Sequence, residues 1–408
     1  MGKPVKIIGA GFSGLVTAWA LQRRGVSVEV HERSTRPGGL ISTRTTSHGS
    51  YETAANALLN SILVEDLFQD LNLELAQPSK IAKKKLVYRD GPRRWPLTAA
   101  ETSGLMTKWI AARIRGAHAP VKYETLAAWA DRVLGVPTRA RLLGPAIQGI
   151  YAGDPERLSA SLLLGHLFQK PKPPKPKLRG SVFPKNGMQE LITALVQKLE
   201  ERGVPLHFGS MPEVSGADGT VTVIATSAPD AANLLADAAP ALSTTLRTVE
   251  MLPLVCVELF LPETDRPAHG YGCLFPADSD FTSLGVLFDH YLFPHRVKGS
   301  AERWIMGGSR EPGIAAFDDK TLIERAINDR SRLGGKGLAL EAFVTRWPSA
   351  LPYYTVELER TLDQIQLPPN IELIGNYLGR IGLSQILTKA DELANRIAGR
   401  NHEASVAR

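Results

Sequence analysis

The sequence predicts an α/β protein in which a parallel-sheet domain is interrupted by a helical lobe and a β-rich domain. Three stretches carry that expectation. Residues 5–32 read as strand, glycine turn, helix and strand; residues 183–226 read as a helix followed by two more strands; residues 245–310 are dominated by apolar strands. A chain of 408 residues is too long for one ordinary core, which favours two or three lobes. Its 43% hydrophobic and 22% charged composition is that of a globular protein.

The first element is the most specific. Val5–Ile8 is a short apolar strand, Gly9–Gly14 a turn, Leu15–Arg24 a helix stopped by Gly25, and "VSVEVHE" an alternating second strand. Gly9, Gly11 and Gly14 then form G-x-G-x-x-G at the crossover of a βαβ unit, with Phe12 and Ser13 between them. Gly9 permits the tight turn, Gly11 a close approach of backbone to a pyrophosphate, and Gly14 close packing of helix on strand. Glu32 ends the second strand, where a carboxylate accepts hydrogen bonds from a ribose diol and repels a 2′-phosphate. NADP is thereby disfavoured, leaving NAD or FAD. A second turn follows at Arg36-Pro37-Gly38-Gly39, placed for a longer cofactor.

Further along, residues 57–75 show helical spacing, and 83–97 read as a hairpin pairing Leu86–Tyr88 across Asp90-Gly91. Its bases either meet carboxylates or form a solvated face. Residues 99–169 are mostly helical, and 104–118 set Leu105, Met106, Trp109, Ile110 and Ile114 on one side, a face suited to a membrane interface or to covering a lobe. Ser159 is placed as a helix N-cap after a Gly-Asp-Pro turn. The Lys/Pro run 170–180 is an extended connector; without interleaved aromatics it gives no nucleic-acid site. The strands returning at 204–209 and 220–226 extend the first sheet and make its domain discontinuous.

Other chemistries find little support. The two cysteines, Cys256 and Cys273, have no metal-ligand spacing and suit a reducing, cytoplasmic setting. The nine histidines form no H-E-x-x-H grouping, so no metal site is expected. A net charge of +7 permits an anionic surface without demanding one, and no stretch is apolar enough to span a bilayer. The apolar run near the N-terminus is better explained by the βαβ unit than by a signal peptide.

The quoted motifs carry a resemblance. "GAGFSGL", "VEVHERSTRPGGLISTR" and "HGSYETAANALL" resemble the N-terminus of the flavin amine oxidase superfamily, and "GIYAGDPERLSA" resembles its protoporphyrinogen oxidase branch. The "RWPSALPYY" and "IELIGNYLGRIGL" segments are similar to that family's C-terminal flavin segment. The resemblance covers nearly the whole chain. It implies a discontinuous Rossmann-like FAD-binding domain (1–78, 180–235, 341–408), a β-rich substrate domain (79–98, 236–340) and a helical, membrane-associating lobe (99–179).

By the same resemblance, non-covalent FAD is held by Gly9, Gly11, Phe12, Ser13, Gly14, Glu32, Arg33, Arg36, Gly38, Gly39, Leu40, Ala55, Asn56, Met211, Thr226, Trp347, Gly375, Asn376, Ile381, Gly382 and Leu383. Leu274, Leu287 and Ile305 line an apolar slot for a flat macrocycle, each with the alternative of a plain core role, and Arg94 is placed for a substrate carboxylate. No catalytic side chain is named, because the flavin carries the redox chemistry.

The implied reaction is oxidation of a porphyrinogen to a porphyrin in haem synthesis, with dioxygen as acceptor. Protoporphyrinogen IX is the first candidate and coproporphyrinogen III the other; oligomeric state is left open. An amine or carotenoid oxidoreductase, or a non-catalytic flavoprotein, stands as the alternative. The chain departs from the family at Arg380, at Ala54-Ala55, and at Ile305, where relatives often carry an aromatic.

Overall fold

The computed structural model describes residues 3–168, 174–214, 219–379 and 381–406. Arg380 and part of the Lys/Pro run lie outside the described residues.

Five short strands form an all-parallel sheet in the order Leu206–Phe208, Val28–Glu32, Val5–Ile8, Thr222–Ile224, Ile371–Leu373. Three distant parts of the chain therefore build one sheet. The helix Phe12–Gln22 packs on one face, against Met188–Glu201 and Leu383–Val406. Nine of its eleven residues are buried, which explains an apolar composition with little amphipathic contrast. Trp19 is fully buried and donates its indole N–H to Asp70 Oδ2 at 2.7 Å. The other face, with Ile8, Ile224, Ile371 and Leu373, shares a core with Ala228, Ala231 and the helical region 126–163.

A second, seven-stranded sheet runs Glu341–Pro352, Met251–Leu261, Ser300–Gly307, Gly285–Phe288, Gly272–Leu274, Lys85–Tyr88, Pro92–Arg93. One face is sealed: Val255, Val257, Trp304, Met306, Val286 and Phe288 are buried in a core shared with Leu322 and Ala326 of the helix Asp319–Arg332. The 83–97 hairpin joins this sheet through a parallel pairing with Gly272–Leu274. The helical region packs beside it, with Leu274 filling the space at Gly149 in the helix Gly144–Tyr151.

Two local expectations change. The helix expected over 57–75 spans only Ile62–Asp70, because Ser61 caps it by accepting from Val64 N, and flanking residues Leu58–Leu59 and Leu75–Ala76 pair with Ser181–Pro184. The helix Ala99–Ile114, capped by a Thr98–Glu101 box, does not hold its five apolar residues on one side. Leu105 and Trp109 are half-buried toward the protein, whereas Met106, Ile110 and Ile114 are 52%, 51% and 81% exposed on a separate stripe. Two adjacent stripes share one helical period, so sequence spacing alone merged them. Among the described residues, no helix is long and apolar enough to cross a membrane.

Candidate functional site

The site starts at the carboxyl ends of the parallel strands. Gly9 donates to His31 O at 2.7 Å and takes φ +107°, turning the chain from strand into helix. A methyl on Gly14 would overlap the Gly9 carbonyl oxygen and sit 3.3 Å from Ala225 Cβ, so helix and strand touch there. Gly11 differs: a Cβ would meet only Gly39 Cα, at 4.0 Å, and otherwise points into open space. The first N–H groups of the following helix, at Phe12, Ser13 and Gly14, have no intrahelical acceptor and carry the positive end of the helix dipole.

The 36–41 loop docks on this turn. Gly38 N donates to Ala10 O at 2.8 Å, and Gly11 and Gly38 form an isolated parallel bridge. Arg36 folds back on its own loop, donating to the carbonyls of Gly39 (2.7 Å), Pro37 (3.3 Å) and Ile41 (3.4 Å), so its guanidinium stabilises the loop itself. Glu32 is half-buried; its Oε2 accepts from Ala10 N and its Oε1 from Ser34 N, each at 2.8 Å. Both oxygens keep a lone pair for a further donor. Thr226 packs its methyl toward Gly9, and Gly375 lies near Thr226 O. Arg33 is exposed beside Asp230 (3.2 Å), and Met211 is 40% exposed.

Residues 53–59 cross between the two sheets. Thr53 O accepts from Trp347 Nε1 at 2.8 Å, Thr53 Oγ1 donates to Leu40 O at 2.9 Å, and Leu59 O accepts from Ser384 Oγ in the first turn of the last helix. Ala55 and Asn56, both half-buried, thus lie between Trp347 and the start of that helix. Asn376 offers its carbonyl to Tyr354 OH, while Ile381, Gly382 and Leu383 are half-buried where the helix begins.

The other face of the seven-stranded sheet holds Leu274, Leu287 and Ile305, the residues expected to line a slot, with Ile305 packed toward the helical region and Leu274 against Gly149. Register aligns Thr345, Cys256, Ile305, Gly285 and Leu274 in one row, and Phe343, Glu258, Arg303, Leu287 and Gly272 in the next row of the same face. Trp347 lies on this face, opposite Leu254. Leu254, Cys256, Leu274, Leu287 and Ile305 are half-buried, unlike their sealed strand neighbours. Leu274, Leu287 and Ile305 are therefore brought together; Arg94 is exposed just beyond the hairpin strand.

Sequence reasoning missed the charged group beside them. Arg303, 2% exposed, donates from Nε to Glu258 Oε2 (3.1 Å), from Nη2 to Asp289 Oδ2 and from Nη1 to Asn56 Oδ1. Nearby, Arg296 Nη2 donates to the buried Glu52 Oε1 at 2.6 Å. Burial and the neighbouring Asp289 push the Glu258 carboxyl up to about 8, against the opposing pull of Arg303. Burial likewise raises Asp289. The available signal was charge within apolar strands, "CVELF" and "ERWIM".

The fold also assembles a His/Glu cluster that no linear spacing reveals. His31 and His207 pair across adjacent strands with rings stacked at 4.6 Å, and Glu29 Oε1 lies 3.4 Å from His31 Nε2. These three offer ligand atoms within 4.8 Å of one another, a juxtaposition made by strand pairing and not by any H-E-x-x-H spacing.

A parallel sheet with a glycine turn, a helix N-terminus and a strand-end acid, facing a second sheet with a partly buried apolar face, defines a nucleotide-cofactor oxidoreductase. The family model for flavin containing amine oxidoreductase matches residues 12–380, and the chain belongs to that family, with FAD as its cofactor. The chain is 22% identical to the chloroplastic protoporphyrinogen oxidase of Nicotiana tabacum, over 96% of this chain and 85% of that protein. It is 24% identical to the coproporphyrinogen III oxidase of Staphylococcus aureus, over 97% and 99%. In fold it is similar to a candidate protoporphyrinogen oxidase from Exiguobacterium sp. 255-15, with TM-score 0.80, 16% identity, and coverage of 98% and 99%.

The residues present fit FAD. Space left open at Gly11 beside unsatisfied helix N–H groups suits a pyrophosphate, and the half-buried Glu32 with free lone pairs suits a ribose.

Proposed function

We propose that the protein oxidises a porphyrinogen to a porphyrin with non-covalently bound FAD, protoporphyrinogen IX being the substrate and dioxygen the final acceptor. The observation that carries this reading is the face on which Leu274, Leu287 and Ile305 stand together, partly buried, on a sheet whose other face is sealed. Relatives named for porphyrinogen oxidation, matched along nearly the whole chain, support it.

In this reading Phe12, Ser13 and Gly14 donate backbone N–H bonds to the pyrophosphate, Gly11 makes room for it, and Glu32 accepts from the ribose. Gly38, Gly39 and Leu40 close over the cofactor, Arg36 braces that loop, and Arg33, Met211 and Thr226 flank the nucleotide end. Ala55, Asn56, Trp347, Gly375 and Asn376 surround the flavin, with Ile381, Gly382 and Leu383 presenting helix N-terminal donors to its polar edge. FAD supplies the two-electron redox chemistry when bound.

The protein's own part is to clamp a flat apolar macrocycle on Leu274, Leu287 and Ile305, orient a C–H bond and exclude water. Arg94 at the rim attracts substrate carboxylates. The exposed Met106–Ile110–Ile114 stripe, with Lys108, Arg113 and Arg115 on the same helix, rests on a membrane surface from which an apolar substrate is drawn.

The test is porphyrin fluorescence against time after mixing flavin-loaded protein with protoporphyrinogen IX in air. A rise well above the protein-free control is expected; a trace equal to the control, with flavin bound, refutes the reading.

A further inference from the structure

The edge of the parallel sheet gathers three metal-ligating side chains. Glu29 and His31 are two residues apart on the strand Val28–Glu32 and so share a face, and His207 pairs with His31 in register on the edge strand Leu206–Phe208. The ligand atoms of the three lie within 4.8 Å of one another. Glu32, the residue assigned to the ribose, alternates to the other face of its strand, so the cluster is separate from the cofactor contacts described above.

The surroundings of His31 suit a cation. Its Nδ1 lies 3.2 Å from Ser210 Oγ, and its Nε2 is buried without a hydrogen-bond partner among the described residues, facing Glu29 Oε1 at 3.4 Å. With the Nδ1 proton given to Ser210, Nε2 sets a lone pair against a carboxylate, and two such acceptors repel unless positive charge lies between them. An ion with tetrahedral bonds of about 2.0–2.1 Å holds its donors about 3.3 Å apart, so the Nε2–Oε1 edge is already at coordinating separation. The exposed His207, its ring stacked 4.6 Å from that of His31, closes the remaining distance by side-chain rotation. Ser210 fixes the ring and tautomer of His31, as hydrogen bonds to the distal nitrogen do in metal sites generally. Burial holds His31 below its ordinary range, against the pull of Glu29, so at neutral pH the imidazole is neutral and able to ligate.

Charge selects the class of metal. Lys6 is the register partner of Glu29 on the strand Val5–Ile8, and its positive charge is felt at His31. Glu29 and Lys6 offset each other, so the two imidazoles, and not net negative charge, must supply the affinity. That donor set suits Zn²⁺ and its late transition-metal neighbours and gives hard, oxygen-seeking Mg²⁺ and Ca²⁺ little to bind.

We propose that Glu29, His31 and His207 form a binding site for a divalent late transition-metal ion such as Zn²⁺, which ties the edge strand Leu206–Phe208 to its neighbour. Three protein ligands leave the ion a position for water. The edge strand pairs with Val28–Glu32 alone among the described residues, so a coordinate link across that pair adds to its hold.

The experiment is calorimetric titration of ZnCl₂ into flavin-loaded, tag-free, metal-stripped protein at neutral pH, comparing wild type with His207→Ala and Glu29→Gln. MgCl₂ and CaCl₂ are titrated alongside, and elemental analysis after dialysis counts the bound zinc. His207 is exposed and Glu29 half-buried, so neither substitution empties the core, and retained flavin absorbance checks that each variant is folded. Wild type should bind one zinc ion per chain and neither Mg²⁺ nor Ca²⁺. Each variant, lacking a ligand, should lose at least the roughly 10- to 100-fold in affinity that outer-shell changes cost. Zinc should raise the thermal midpoint of wild type and leave that of the variants in place. Absence of zinc binding by wild type overturns the proposal and makes Glu29, His31 and Ser210 a local polar cluster only. Wild-type zinc affinity in both variants also overturns it, by placing the ion elsewhere. Neither readout depends on turnover, so the porphyrinogen reading stands or falls separately.

Discussion

Replacing Gly11 by alanine separates what the protein needs at the glycine turn from what the cofactor needs. Gly11 has φ −68° and ψ 176°, ordinary values for any residue, and an added methyl would find only Gly39 Cα at 4.0 Å. The FAD-free protein should therefore accept Gly11→Ala, and the reduced freedom of the unfolded chain adds about 0.4–1 kcal/mol of stability. Gly14→Ala is the opposite case, because its methyl overlaps the Gly9 carbonyl oxygen and must lift a fully packed helix off its strand. That overpacking costs about 1–3 kcal/mol.

For the cofactor the ranking changes. The Gly11 methyl occupies space assigned to the pyrophosphate, and a similar overpacking of about 1–3 kcal/mol weakens FAD about 5- to 150-fold. The assay is a thermal midpoint of FAD-free protein together with a flavin-fluorescence titration. Gly11→Ala should keep or raise the midpoint while losing FAD affinity, and Gly14→Ala should lower both. Wild-type FAD affinity in Gly11→Ala would refute the placement of the pyrophosphate.

Three further outcomes are expected. Arg303→Met leaves Glu258 and Asp289 buried without their cation, and urea unfolding should report a loss of about 3–5 kcal/mol. Glu258, raised from 4.5 to about 8 by burial, holds its proton more tightly folded than unfolded. Stability should therefore fall as pH rises between about 4.5 and 8, by at most about 1.4 kcal/mol per pH unit from this group, and Glu258→Gln should flatten that slope in thermal melts at fixed ionic strength. Ile110→Glu with Ile114→Glu removes the most exposed part of the apolar stripe, and sedimentation with anionic vesicles should drop several-fold without change in FAD content.

The fold and the geometry of the glycine turn were legible because they depend on local chemistry. A turn at φ +107°, a helix touching its strand and an acid at a strand end each need a particular residue at a particular spacing, and those spacings survive in a linear string. Arg36 shows the limit of this reasoning: its position beside the glycine pair was readable, but its hold on three carbonyls of its own loop was not. The apolar stripes of the 99–114 helix fell together for a similar reason, since periodicity gives a face without saying what covers it.

By itself the sequence determined the βαβ cofactor unit, the return of later strands, the strand-rich region and the family resemblance, all of which rest on residue type within a few turns or strands. Only the tertiary structure decided which side of the seven-stranded sheet is sealed, that Leu274, Leu287 and Ile305 share the other, and that Glu258, Arg303, Asp289 and Asn56 meet at its end. Arg303 and Asn56 alone are 247 positions apart along the chain. Cross-strand register and burial set which of them touch, and burial turns their charges from solvated surface groups into a fixed, low-dielectric cluster.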